Sequence, residues 1–177
     1  VRFLWCGNDG TVRAKASGRR GLEGRIESGI GLTVAMQAMN GLDQLQPVDG
    51  MGPVGEIRLV PDVETFRVLP YAPRTGAMLV DHVTLDGAPA PQCPRSFLRR
   101  MEARLAERDG ARLEVAFENE FALAVRDGDT FVPVDSSLCY STIGMTASQA
   151  YVDALTDALE QQGIALEQYY AELGHGQ

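Results

Sequence analysis

Glu118 and Glu120, separated by one residue, sit in Leu113-Glu114-Val115-Ala116-Phe117-Glu118-Asn119-Glu120-Phe121-Ala122-Leu123, the segment with the clearest chemical content. Side chains on an extended chain alternate faces. Val115, Phe117, Phe121 and Leu123 therefore turn one way, and Glu114, Glu118 and Glu120 turn the other. Two residues of strand place the Cα atoms of Glu118 and Glu120 roughly 6.5 Å apart. Ionised carboxylates repel at that spacing, and a hard divalent cation offsets the repulsion while keeping positions open for phosphate oxygens. On spacing alone, a plain solvated sheet face is the simpler account of the pair.

The remaining reactive side chains are few. His82 and His175 are the two histidines, and neither has a nucleophile motif beside it, which leaves little material for a Ser-His-Asp or Cys-His arrangement. The three cysteines, Cys6, Cys93 and Cys139, are far apart and form no metal-finger spacing. They read as reduced, mostly buried thiols. Arg95, Arg99, Arg100 and Arg104 recur at helical spacing, as expected of a solvated helix face. A formal net charge of −8 argues against a phosphate-backbone partner, so no nucleic acid is expected. No apolar run approaches the roughly 18 residues that cross a bilayer, so no membrane partner is expected either. The opening Val1-Arg2-Phe3-Leu4-Trp5 lacks both the apolar core of a signal peptide and an initiator Met, so the chain reads as part of a longer product.

The elements that must position these groups follow from periodicity and punctuation. Residues 2–6 and 11–16 read as strands joined by Gly7-Asn8-Asp9-Gly10, whose residue types accept the positive φ of a tight turn. Residues 17–55 are glycine-rich and read mostly as loop, with a helix over 31–39. Strands are expected at 56–60, 65–69 and 77–84, and residues 86–93, with Gly87, Pro89 and Pro91, read as a linker. Beyond it, 96–108 has a helical apolar face of Phe97, Leu98, Met101 and Leu105, stopped by Gly110. A long strand over 112–126 returns through Asp127-Gly128-Asp129 as 130–134. A helix is expected over 146–162 with Thr146 as its cap, then a strand over 164–172. This order is α+β: a small β-rich domain, then the opening of a second domain.

Four short segments, in order, resemble glutamine synthetases. Val60-Pro61-Asp62-Val63-Glu64-Thr65 with Leu69-Pro70-Tyr71 is similar to the family's P-D-x-x-T…P-W/Y stretch. Cys93-Pro94-Arg95-Ser96-Phe97-Leu98 resembles its C-P-R-x-x-L, and Glu118-Asn119-Glu120-Phe121 its E-x-E-F strand. Glu172-Leu173-Gly174-His175-Gly176-Gln177 resembles E-x-G-P-G-Q, with His175 at the place of Pro. Each segment is short; their shared order and spacing across residues 56–177 carry the resemblance.

The resemblance implies a β-grasp N-terminal domain over residues 1–85, a linker over 86–93, and the incomplete start of a catalytic domain over 94–177. It implies Glu118, Glu120 and Glu172 as ligands of Mg²⁺ or Mn²⁺, with ATP, glutamate and ammonia as substrates. The implied reaction makes a γ-glutamyl phosphate, which ammonia then displaces. It further implies a cytoplasmic, dodecamer-like homo-oligomeric ring with sites shared between neighbours. A chain ending at Gln177 lacks the family's later motifs and is expected to be inactive alone. Ammonia-using members carry an Asp-Gly-Ser-Ser segment in the N-terminal domain; Asp43 and Asp49 lie in that region without its flanking residues. A γ-glutamyl-amine ligase using another amine is thus the alternative, and a silent binding or assembly module is a third reading.

Overall fold

Alternation builds the first sheet. In β1 (Arg2–Cys6), Phe3 and Trp5 turn inward; in β4 (Glu56–Pro61), Ile57 and Leu59 do so. In β6 (Gly76–Val83) the inward positions are Met78, Val80 and His82. These side chains, with Leu32, Val34 and Ala90, form one core. The computed structural model describes residues 1–177 and falls into two units, Val1–Glu114 and Val115–Gln177.

In the first unit, β2 (Val12–Ala16) pairs with β1, and β3 (Ile30–Thr33) pairs with β4. The strand order is β2-β1-β6-β4-β3, with β5 (Arg67–Val68) also on β6. All pairings are antiparallel except β1 with β6, which is parallel. This mixed, curled sheet, with a helix against it, is the β-grasp arrangement. The helix, α1 (Leu22–Ser28), packs on β4 and sets Leu22 and Ile26, four residues apart, against the core. Gly29 ends it at φ 69°, where a Cβ would lie 2.7 Å from the Leu59 carbonyl oxygen, so only glycine fits.

Composition hid α1, because Gly18, Gly21, Gly24 and Gly29 made the stretch look like loop. The helix expected over 31–39 is instead β3 followed by a 3₁₀ segment over Val34–Ala38. Cross-strand pairing of Leu32 with Ile57 outcompetes local helix propensity there.

α2 (Pro94–Asp109) closes the unit. Pro94 occupies the first turn, where a missing N–H costs nothing, and the Cys93 thiol accepts from the Ser96 N–H at 3.4 Å. Gly110 stops it at φ 61°. The arginine face is not simply solvated. Arg95 reaches Asp62 at 2.8 Å and Asp81 at 3.3 Å, and Arg99 reaches Asp81 at 2.6 Å and Asp62 at 3.5 Å. Two arginines and two aspartates thus fasten α2 to the ends of β4 and β6.

In the second unit, β7 (Ala124–Asp127) and β8 (Thr130–Pro133) form the expected hairpin. The strand expected over 112–126 is confined to its last residues. Residues 112–122 form no strand, because no neighbouring strand of this chain meets their backbone groups, and alternation alone does not stabilise a lone strand. Residues 164–172 form no strand for the same reason. The helix expected over 146–162 is two helices, α3 (Thr142–Ala147) and α4 (Gln149–Glu160), separated at Ser148. The cap is not Thr146, whose hydroxyl donates back to the Thr142 carbonyl at 2.7 Å; Ser141 caps α3 by accepting from the Ile143 N–H. No helix is long and apolar enough to cross a membrane.

Candidate functional site

The second unit draws the Glu120 segment and the Glu172 segment together. Leu123 is the hinge of this contact. Its carbonyl accepts from the Val134 N–H at 3.0 Å, and its own N–H donates to the Gly176 carbonyl at 2.7 Å. The turn that receives it is tied on itself. The Glu172 N–H donates to the Gln177 carbonyl at 3.1 Å, the Gln177 N–H to the Gly174 carbonyl at 3.1 Å, and the Gly174 N–H to Gln177 Oε1 at 2.9 Å.

Gln177 then crosses to the other segment. Its Nε2 donates to Glu120 Oε2 at 2.8 Å. Gly176 makes the approach possible: it sits at φ 73°, and a Cβ there would lie 2.4 Å from the Leu123 carbonyl oxygen. Glu120, Phe121, Ala122, Gly174, His175 and Gln177 line a shallow open depression at this junction. Phe121 anchors the segment below by an edge-to-face contact with Tyr151 of α4, with ring centroids 5.7 Å apart.

Glu172 has its own neighbours. The Tyr140 hydroxyl lies 3.4 Å from Oε1, and the Cys139 thiol lies 3.8 Å from Oε2. The Tyr140 N–H donates to the Ala171 carbonyl at 3.0 Å, and the Tyr140 ring meets Tyr170 edge-to-face at 5.5 Å. The Glu172 charge pushes the Tyr140 phenol above its ordinary pKa. Burial pushes the Cys139 thiol up, and the Glu172 charge adds to it. Both groups therefore keep their protons at neutral pH and act as donors to the carboxylate.

Of the three glutamates singled out from sequence, Glu120 and Glu172 lie on segments joined through Gln177. Glu118 is exposed two residues up the chain. The chain does not gather three or more His, Cys, Asp or Glu side chains into a single cation cluster. The donor type nevertheless suits a hard divalent ion, since carboxylate oxygens are the ligands Mg²⁺ and Mn²⁺ prefer. His175 is exposed on the turn beside Gln177. Sequence reasoning missed Tyr140 and Cys139. Their position rests on a backbone conformation, φ 59° at Tyr140, that no residue type announces.

Comparison with known proteins adds the following. The family model described as glutamine synthetase N-terminal domain matches residues 1–90, and that described as glutamine synthetase, catalytic domain, matches residues 91–177. A γ-glutamylpolyamine synthetase of Streptomyces coelicolor is 32% identical over 171 residues, covering 95% of this chain and 37% of that protein. A glutamine synthetase of Mycobacterium bovis is 31% identical over 187 residues, covering 100% of this chain and 39% of that protein. Among solved structures, the crystal structure of a novel glutamine synthase homolog superposes with a TM-score of 0.78 at 22% identity. It covers 99% of this chain and 41% of that one, a likeness of fold. The chain therefore spans about two fifths of the length of the relatives it matches.

Proposed function

Because this chain belongs to the glutamine synthetase family, we propose that the protein it is part of is an ATP-dependent ligase joining an amine to the γ-carboxylate of glutamate. In this reading the γ-carboxylate oxygen attacks the γ-phosphorus of ATP and ADP leaves. The amine nitrogen then attacks the acyl carbon, phosphate departs, and the nitrogen gives up a proton. Glu118, Glu120 and Glu172 would hold Mg²⁺ or Mn²⁺, which when bound offsets charge on the transferring phosphoryl group. The first 85 residues serve as the β-grasp domain, 86–93 as the connection and 94–177 as the opening of the catalytic domain. The whole protein works in the cytoplasm as a homo-oligomeric ring, and this chain alone is inactive.

The observation that carries the reading is the junction at Gln177. That side chain accepts from the Gly174 N–H of the Glu172 turn and donates to Glu120. The Glu120 carboxylate and the Glu172 backbone, far apart in sequence, are thereby tied into one hydrogen-bonded unit beside an open depression.

Ammonia is the simplest nucleophile. An amine other than ammonia is favoured by one specific feature: residues 1–85 contain no Asp-Gly-Ser-Ser segment. Asp43, which lies in the matching region, already pairs with Arg13 at 2.7 Å. Similarity to a γ-glutamylpolyamine synthetase supports the same direction.

Phosphate release from ATP by the full-length protein tests both readings. Release should need glutamate, an amine and Mg²⁺ together, and a panel from ammonia through alkylamines and polyamines identifies the nucleophile. Strong preference for ammonia removes the second reading; release indifferent to glutamate and amine removes both.

A further inference from the structure

The turn over residues 172–177 is fixed by backbone bonds and by the Gln177 side chain, and none of these bonds uses the His175 ring. Glycines flank His175 on both sides. A Cβ on Gly176 would meet the Leu123 carbonyl oxygen at 2.4 Å, and one on Gly174 would lie 2.7 Å from Gln177 Oε1. The turn is thus packed closely at its two glycines and carries an exposed imidazole between them. That imidazole lines the same open depression as Glu120. Gln177 engages Oε2 of Glu120, which leaves the lone pairs of Oε1 to other partners. Proline, which the glutamine synthetase pattern has at this place, carries no side-chain donor atom. A neutral imidazole brings a nitrogen lone pair to the same spot.

We propose that His175 is a nitrogen ligand paired with Glu120 at one divalent cation, and that it moves the ion preference of this site from Mg²⁺ toward ions that favour imidazole, such as Ni²⁺ and Zn²⁺. This rests on the reading of Glu120 as a metal ligand. A site of carboxylate and water oxygens suits Mg²⁺ and Mn²⁺, whereas imidazole suits the later transition metals, whose affinity for nitrogen sites is also higher in general. Two protein ligands suffice for an ion that keeps several waters and takes phosphate oxygens as well. The discrimination comes from a single atom type, so it depends on the ring of His175 and not on the path of the turn.

The test uses the full-length protein with His175→Ala, His175→Pro and Glu120→Ala, and measures Ni²⁺ and Mg²⁺ binding by isothermal titration calorimetry. Ni²⁺ affinity should weaken roughly 10-fold or more in both His175 variants, at least what the loss of an outer partner of a ligand costs. Mg²⁺ affinity should stay near that of the unsubstituted protein. Glu120→Ala should weaken both ions. The Leu123 N–H, bonded to the Gly176 carbonyl, should keep its protection from hydrogen exchange in His175→Ala. Unchanged Ni²⁺ affinity in the His175 variants overturns the inference, as does an equal loss for both ions or a loss of protection at Leu123. The levels separate cleanly. If Glu120→Ala weakens both ions and the His175 variants weaken neither, Glu120 keeps its assignment and His175 loses its own. If Glu120→Ala weakens neither ion, the pair falls as a whole. Selective loss of Ni²⁺ binding in the variants, without glutamate- and amine-dependent phosphate release by the unsubstituted protein, retains the nitrogen ligand and removes the ligase reading.

Discussion

Gln177 donates to Glu120 across 57 positions of sequence, Nε2 to Oε2 at 2.8 Å, while its Oε1 accepts from Gly174. One amide therefore reads both sides of the junction, and it can do so in a single orientation only, because its two ends differ in hydrogen-bonding sense. The carboxylate of Glu120 is held with Oε2 engaged.

The glutamates carry the first prediction. Removing a ligand that offsets phosphoryl charge forfeits several kcal/mol of stabilisation. At about 1.4 kcal/mol per tenfold, Glu120→Ala, Glu118→Ala and Glu172→Ala should each slow phosphate release by the full-length protein roughly 100-fold or more. Melting temperature should barely move for the exposed Glu118 and Glu120. Activity within a few-fold of the unsubstituted protein in Glu120→Ala would remove the metal assignment.

Gly176→Ala should open the junction from the other side. A Cβ at this position would meet the Leu123 carbonyl oxygen at 2.4 Å, and φ 73° adds the penalty of a left-handed backbone, about 1–2 kcal/mol. Faster amide hydrogen exchange at Leu123 is the expected signature. Protection at Leu123 equal to that of the unsubstituted protein would contradict it.

The four-charge lattice on α2 predicts salt and acid sensitivity. Hydrogen bonding to Arg95 holds the Asp62 carboxyl below its ordinary value of 3.8. A carboxylate depressed in the folded state contributes stability that is fully present above its unfolded pKa. That contribution is lost as pH falls through the lower, folded value. Asp62→Asn should therefore remove a stability loss confined to pH below about 3.8. The charges are partly exposed, so a double-mutant cycle of Arg95→Ala with Asp62→Ala should give a coupling of only about 0.5–1 kcal/mol, shrinking in high salt. A coupling of zero at low ionic strength would show the lattice to be decorative.

His82 predicts a second, separate window. It is 1% exposed, and neither ring nitrogen has a hydrogen-bond partner. It packs between Trp5, whose ring centroid lies 6.5 Å away, and Cys93, whose sulfur accepts from the His82 N–H at 3.3 Å. Burial lowers its pKa below 6.5, with the neighbouring Asp81 charge acting weakly the other way. The unfolded chain therefore takes a proton that the folded one refuses. Stability is fully present above about 6.5 and falls as pH drops from there toward the folded value. His82→Gln should flatten the loss of urea-unfolding stability that begins as pH falls below about 6.5; a slope like that of the unsubstituted protein would assign the sensitivity elsewhere.

Legibility from sequence divided along a physical line. Strands β1, β4 and β6 were readable because one face is buried, and burial imposes a period of two: Phe3 and Trp5, Ile57 and Leu59, Met78 and Val80. The same rule put His82 inside, where residue type alone would not. α2 was readable from Pro94 and Gly110 at its ends. Its arginines were misread, because helical spacing says which face Arg95 and Arg99 occupy but not that Asp62 and Asp81 wait opposite. The alternation at 113–123 marked a strand that needs partners from outside the segment, and this chain supplies them only from Leu123 onward. Glu120 and Glu172 were picked out through family resemblance. Their connection through Gln177, and the turn at Tyr140, depend on tertiary hydrogen bonds that leave no periodic trace.

Fastening α2 to β4 and β6 bears on how such proteins can recombine. Residues 1–90 and 91–177 match separate family models, yet Asp62 and Asp81 lie on one side of that border and Arg95 and Arg99 on the other. A chimera that exchanges residues 1–90 alone would set a foreign sheet against two guanidinium groups with no guarantee of an acidic partner. Crossover after residue 114 would carry donor and acceptor together, so the heritable module is longer than the domain whose name it bears.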